Sequence, residues 1–174
     1  MSVEGAKEVG IEFHSLSKTF NMTGWRVAFA VGNAEILAGL AKVKSNVDSG
    51  MFQALQEAGI AALSEDLTEF RAAQMATYHR RRDLLCEGLN AIGWRVEKPK
   101  GGLCVWGRVP GNLDSSTAVL DLLRKAAVVV APGVGFGKHG EGYVRFSLTN
   151  SEERIEQAIK RIAPIYSEWT REED

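Results

Sequence analysis

The sequence predicts an α/β fold organised as two units joined by a long helix. Three observations predict it. Short apolar runs rich in β-branched and aromatic residues alternate with longer stretches whose apolar residues recur at helical spacing. One helical stretch, from Ser64 to Gly93, is far longer than the others and divides the pattern in two. The 174 residues are 45% hydrophobic and 25% charged, a composition that buries a core in the ordinary globular manner.

The elements follow in chain order. Residues 9–14 (VGIEFH) and 26–31 (RVAFAV) predict two strands flanking a polar, glycine-containing loop. Asn33 is a good N-cap for a helix reaching about Lys44, with Ile36, Leu37, Leu40 and Val43 on its apolar stripe. A loop over 45–50 (SNVDSG) leads into a second helix from Phe52 to Leu63. Ser64 predicts the cap of the long helix, Glu65 and Asp66 suit its first turn, and Leu67, Phe70, Tyr78, Leu85, Leu89 and Ile92 form a stripe that ends at Gly93. Within it, Arg80, Arg81 and Arg82 read as a solvated face rather than an anion site. Beyond Gly93 the pattern predicts strand pieces at 94–97 and 102–109, a helix over about 115–125, strands at 126–131 and 143–148, and a last helix. Asn150 with Glu153 resembles a capping box ahead of Ile155, Ala158, Ile159 and Ile162.

The expected units are 1–63 and 64–174. Two strands and two helices cannot cover both faces of a buried sheet, so the first unit is expected to expose apolar surface unless more chain or another subunit packs on it.

Charge narrows the function. Lys plus Arg number 21 against 22 Asp plus Glu, with no long run of one sign, so neither nucleic acid nor a membrane surface is the expected partner and a small molecule fits better. No apolar stretch approaches the roughly eighteen residues of a membrane span, and the first residues do not form a signal peptide, so a cytoplasmic location is expected. Cys86 and Cys104 form no C-x-x-C, and His14, His79 and His139 lie far apart, so free thiols and no metal are expected.

The segment from His14 to Arg26 (HSLSKTFNMTGWR) carries the chemistry. It places two hydroxyls, one primary amine and one guanidinium on a single loop, a plausible cradle for a phosphorylated carbonyl compound. Arg26 suits a phosphate through its planar fork, and Ser15 and Ser17 can donate to the remaining oxygens. Lys18 is then a candidate nucleophilic amine for a Schiff base, its pKa lowered by the adjacent cation and by partial desolvation. On these residues alone it also reads as a surface lysine in a polar turn. Arg145 is a lone cation in the apolar strand Tyr143 to Leu148, where a buried guanidinium needs an anionic partner. The G-x-G-x-x-G from Gly135 to Gly140 precedes a strand pattern rather than a helix, so it is not read as a dinucleotide site.

Ser15-x-Ser17-Lys18, followed by Met22-x-Gly24-Trp25-Arg26, resembles the lysine signature of the fold-type I, class I/II aminotransferases that use pyridoxal 5′-phosphate (PLP). Three further stretches resemble that family in the right order: Pro99 to Trp106 (PKGGLCVW), Ala131 to Gly137 (APGVGFG) and Gly142 to Leu148 (GYVRFSL). The resemblance therefore covers nearly the whole chain. One departure is Ala28, where the family commonly carries glycine. The wording HSLSKTFNMTGWR, SNVDSG and VRFSLT is most similar to the LL-diaminopimelate branch of the family.

The resemblance implies an aspartate-aminotransferase-like fold, with 1–63 as the C-terminal remnant of the PLP-binding large domain and 64–174 as the connecting helix and α/β small domain. It implies a homodimer that moves an amino group between an amino acid, LL-diaminopimelate among them, and a 2-oxo acid. Carried over residue by residue, it assigns Lys18 as the Schiff-base residue and proton shuttle. Ser15, Ser17 and Arg26 fall on the phosphate, and Arg145 on the substrate α-carboxylate. Asn46 is assigned to reach across the dimer to the partner's substrate, although on its own residue type it reads equally as a turn asparagine. The family also uses an Asp on the pyridinium nitrogen, an Asn and a Tyr on O3′ and a Gly-rich phosphate turn, all ahead of the lysine. Only 17 residues precede Lys18, so the chain is expected to be a fragment without activity of its own. Another fold-type I reaction, a lyase or synthase, would share Lys18, Arg26 and Arg145, whereas a catalytically silent binding or dimerisation module is disfavoured by their retention.

Overall fold

The computed structural model describes residues 1–111 and 113–171. They form two compact units that divide inside the long helix, one ending at Ala72 and one beginning at Ala73. Among the described residues no helix is long and apolar enough to cross a membrane.

In the first unit a short helix, α1 (Ala6–Val9), precedes β1 (Ile11–Ser15), which pairs antiparallel with β2 (Ala28–Gly32) from Ile11↔Gly32 to Ser15↔Ala28. Both strands begin two residues later than the pattern predicts, because Val9 closes α1 and Arg26 takes a left-handed turn conformation. Gly32 is required where it stands: its φ is 143° and a Cβ there would lie 2.3 Å from the Gly10 carbonyl oxygen. Between the strands run α2 (Leu16–Thr19) and a 3₁₀ turn over Thr23–Trp25. Asn33 caps α3 (Ala34–Val47), its Oδ1 accepting from Glu35 N at 2.9 Å and Ile36 N at 3.0 Å. The helix outruns the predicted stop at Lys44, so Ser45, Asn46 and Val47 are helical and not loop; Asp48 ends it, pairing with Lys44 Nζ at 2.7 Å.

Ser64 is the last residue of α4 (Gln53–Ser64) and does not cap the long helix. That helix, α5 (Thr68–Ala91), begins where Asp66 Oδ1 accepts from Thr68 N at 3.0 Å. Leu16, Met22 and Val27 make a small core backed by Phe20, Met51 and Leu55. Gly59 lets α4 lie close, since a Cβ there would already be 3.3 Å from Val27. The exposed apolar surface expected of this unit is present, with Phe13 at 67% and Phe52 at 73% exposure.

The second unit holds a three-stranded antiparallel sheet in the order β3-β5-β4, formed by β3 (Cys104–Arg108), β5 (Tyr143–Ser147) and β4 (Ala131–Pro132). It is joined by α6 (Ser115–Ala126) and α7 (Glu152–Arg171). Leu85 and Leu89 of α5, Val105, Leu122, Val144, Phe146 and Ile162 meet in one core around Trp94. The Trp94 indole N–H donates to the Arg108 carbonyl at 2.7 Å while its ring stacks on Tyr166 at 5.2 Å. Burial pushes the Cys86 thiol above its ordinary pKa, which suits a packing role.

Two predicted strands shrink. The 94–97 piece contributes only the bridge Val96↔Gly107, and of 126–131 only Ala131 pairs, because Ala126 still belongs to α6 and Ala127 turns left-handed at φ 53°. The cap of α7 falls one residue beyond Asn150, with Ile155 N donating to the Ser151 carbonyl at 3.1 Å. The three arginines are not a solvated face: Arg81 is half-buried and donates to the Leu148 carbonyl at 3.2 Å, and half-buried Arg82 reaches Asp83 at 2.8 Å. Arg80 alone is exposed, paired with Glu152 at 3.1 Å.

Candidate active site

The β1–β2 register decides the geometry of the lysine loop. Because Ser15 pairs with Ala28, the ladder ends where Ser15 stands on one strand and Arg26 lies two residues short of the other. Leu16 N donates to the Val27 carbonyl at 3.1 Å and closes the loop base. Ser15 Oγ then caps α2 by accepting from Ser17 N at 3.1 Å, which keeps its own proton for donation elsewhere. Ser17 is buried, and its carbonyl takes the Thr23 hydroxyl at 3.0 Å. Lys18 projects from the middle of α2 and is exposed, so the partial desolvation expected for it is not supplied by the described residues.

Arg26 holds φ 57°, a left-handed conformation that costs a non-glycine residue about 1–2 kcal/mol. Its Nη1 donates to the Thr23 carbonyl at 2.9 Å, so the loop that it closes also orients its side chain. A guanidinium has five N–H donors, and one such bond does not exhaust it. The cradle thus gathers hydroxyl, amine and guanidinium donors at one end of a two-stranded ladder. That donor set fits a phosphate ester carrying an aldehyde, and so fits PLP.

Asn46 lies elsewhere in the same unit, in the exposed last turn of α3, where its Nδ2 donates to the Lys42 carbonyl at 2.7 Å. The turn role open to it from sequence is replaced by a helical one.

Arg145 belongs to the second unit. On β5 the core-facing residues are Val144 and Phe146, so Arg145 stands on the opposite face of the sheet, half-buried, and is not the buried cation that the apolar strand suggests. Its register partners are Trp106 and Ala131. Its Cζ lies 4.3 Å from the Phe136 ring centroid, within cation–π range. Trp106 meets Phe136 edge-on at 5.4 Å and Tyr143 at 6.4 Å, and with His139 these rings border a groove of about 400 Å³. This aromatic surround is not legible in the sequence, and neither is the Ser115–Glu141 pair. Glu141 stood one residue ahead of the strand motif, which was the available signal.

Comparison with known proteins gives the family. Residues 2–162 match the family described as aminotransferase class I and II. The chain is 51% identical over 162 residues to LL-diaminopimelate aminotransferase 2 of Nostoc sp., covering 93% of this chain and 41% of that protein. It is 50% identical over 168 residues to LL-diaminopimelate aminotransferase of Moorella thermoacetica, covering 95% and 42%. It therefore spans about two fifths of the length of these curated relatives. Among solved structures it resembles the aromatic aminotransferase of Pyrococcus horikoshii, with TM-score 0.90 and 33% identity over 96% of this chain and 45% of that one. A Thermus thermophilus aspartate aminotransferase variant gives TM-score 0.84 and 34% identity over 89% and 41%. The fold is that of the aspartate-aminotransferase-like enzymes, whose cofactor is PLP, and the chain belongs to the class I and II aminotransferases.

Proposed function

We propose that this chain supplies the amine, the phosphate grip and the carboxylate grip of an aminotransferase that passes an amino group between LL-diaminopimelate and a 2-oxo acid. The observation that carries the reading is the β1–β2 register, which brings Ser15, Ser17, Lys18 and Arg26 to one end of the ladder. The names of the half-identical relatives support the choice of donor.

PLP, when bound, supplies an aldehyde for the amino group and a ring that takes up the electrons of the broken Cα–H bond. Arg26 holds its phosphate through the fork, and Ser15 and Ser17 donate to the other phosphate oxygens. Lys18 would hold the cofactor through Nζ, and that same amine is the group that would take the proton from the substrate Cα. Arg145 pairs with the substrate α-carboxylate. Asn46 serves the substrate of a second copy in a homodimer, giving up its bond to the Lys42 carbonyl to do so.

Reductive trapping tests the reading. The chain is incubated with PLP, reduced with borohydride and mapped by peptide mass spectrometry. The label is expected on Lys18 and is expected to fall sharply in Arg26→Ala. Label spread evenly over exposed lysines, unchanged in Arg26→Ala, overturns it.

A further inference from the structure

The turn between β4 and β5 is held shut by contacts that the proposed chemistry does not use. Gly133 and Gly140 meet backbone to backbone, so that a Cβ on Gly133 would lie 1.9 Å from the Gly140 carbonyl oxygen. Directly after this closure stands Glu141. Its Oε1 accepts from Ser115 N at 2.6 Å and Gly142 N at 2.8 Å, and its Oε2 faces the Ser115 hydroxyl at 3.2 Å. Ser115 Oγ in turn accepts from Val134 N at 3.3 Å. One carboxylate and one fully buried hydroxyl therefore tie the start of α6 to both ends of the 133–140 turn.

Glu141 does more than cap α6. Asp114 already caps the helix, accepting from Thr117 N at 2.8 Å and Thr117 Oγ1 at 2.7 Å. Asp114 leaves the Ser115 N–H free, and Glu141 takes it from the far end of the 133–140 turn, so the bond that completes the cap also ties that turn to the helix. The turn it holds carries Phe136, whose ring lies under the Arg145 guanidinium at 4.3 Å. An arginine side chain has much rotamer freedom to lose, and a ring fixed beneath it removes that freedom before any ligand arrives.

We infer that Glu141 is a positioning residue: by locking the 133–140 turn through Ser115 it fixes Phe136 beneath Arg145 and presets the orientation of the carboxylate-binding fork. The inference rests on the reading of Arg145 as the carboxylate grip. Glu141 touches no substrate and acts through Phe136.

The test reads the Arg145 Nε–H signal in nuclear magnetic resonance of the isotope-labelled chain, assigned by its loss in Arg145→Lys. The Phe136 ring current is expected to shift this signal upfield, and Phe136→Leu to abolish the shift. Glu141→Ala is expected to lose most of it and to bind 2-oxoglutarate, the carboxylate probe, several-fold more weakly, while the Trp94 indole signal stays in place and reports an intact core. Glu141→Gln is expected to restore both, since an amide oxygen still accepts from Ser115 N and Gly142 N. An Arg145 signal unmoved in Glu141→Ala overturns the inference. If Glu141→Ala does not fold, Ser115→Ala, which deprives Val134 N of its acceptor, is read in its place by the same criterion. A wild-type Arg145 signal indifferent to 2-oxoglutarate removes the carboxylate reading alone, and the upfield shift still decides whether Glu141 positions Arg145.

Discussion

Gly133→Ala isolates what the closed turn contributes to the second unit. The new Cβ would sit 1.9 Å from the Gly140 oxygen and 2.6 Å from the Tyr143 oxygen, whereas real Cβ atoms essentially never approach within 3.0 Å. Both obstacles are backbone, so no rotamer change relieves them, and the two sides of the turn must part by about an ångström. Overpacking of this kind costs roughly 1–3 kcal/mol. Opening the turn also threatens the bond from Val134 N to Ser115 Oγ, worth about 1 kcal/mol. A loss of about 3 kcal/mol is expected. With a urea slope of about 1–3 kcal/mol per molar, the midpoint should fall by roughly 1–3 M. Tryptophan fluorescence reports it, since Trp94, Trp106 and Trp169 all belong to the second unit. Gly135→Ala is the control, because a Cβ there meets nothing within 4 Å, and its midpoint should move by no more than the equivalent of about 0.5 kcal/mol. Equal midpoints for the two variants would refute the reasoning that backbone contact, and not glycine flexibility, makes Gly133 necessary.

Leu89→Ala, at a fully buried site, should cost about 2–5 kcal/mol in urea denaturation, and Leu16→Ala should fall at the low end of that range because its small core borders an open groove of about 480 Å³ and can relax; a larger loss at Leu16 would contradict the packing described. In hydrogen exchange the amides of Val105, Val144 and Phe146 should be protected well beyond those of β1 and β2, and equal protection would mean that the first unit has stability that its exposed apolar surface does not suggest. Hydrogen bonds from Ser115 N and then Gly142 N hold the Glu141 carboxyl below its ordinary value of 4.5, despite the neighbouring Asp114 charge. A depressed carboxyl stabilises the fold above the unfolded value and loses that contribution as pH falls through the folded one. The stability advantage of the wild type over Glu141→Gln should therefore shrink as pH drops below about 4.5, and a difference independent of pH would remove the charge from the account.

The loop proposed to carry the chemistry was legible as a loop in the sequence because its information is local. Ser15, Ser17, Lys18 and Arg26 lie within twelve residues, and the flanking strand patterns already imply that the loop's ends meet. The N-cap at Asn33 was equally legible, since a cap is a contact of a residue with its own next turn. Boundaries were not. Where α3 stops depends on Lys44 meeting Asp48, and where α5 starts on Asp66 taking the Thr68 N–H, small local terms that compete with equally plausible neighbours such as Ser64.

What only the tertiary structure decided is the surroundings of Arg145 and the fate of the arginine triple. An apolar strand with one cation reads as buried on both faces, yet the pairing of β5 with β3 and β4 turns Val144 and Phe146 inward and leaves Arg145 on the other face, over Phe136. Arg81 finds its acceptor at Leu148, 67 residues away, and Glu141 finds Ser115 at a separation of 26. Periodicity and capping rules describe a residue's relation to the next turn or the next pleat. Partners so distant in sequence are chosen by which side chains the packed core brings within hydrogen-bond reach, and that choice exists only once the chain has folded.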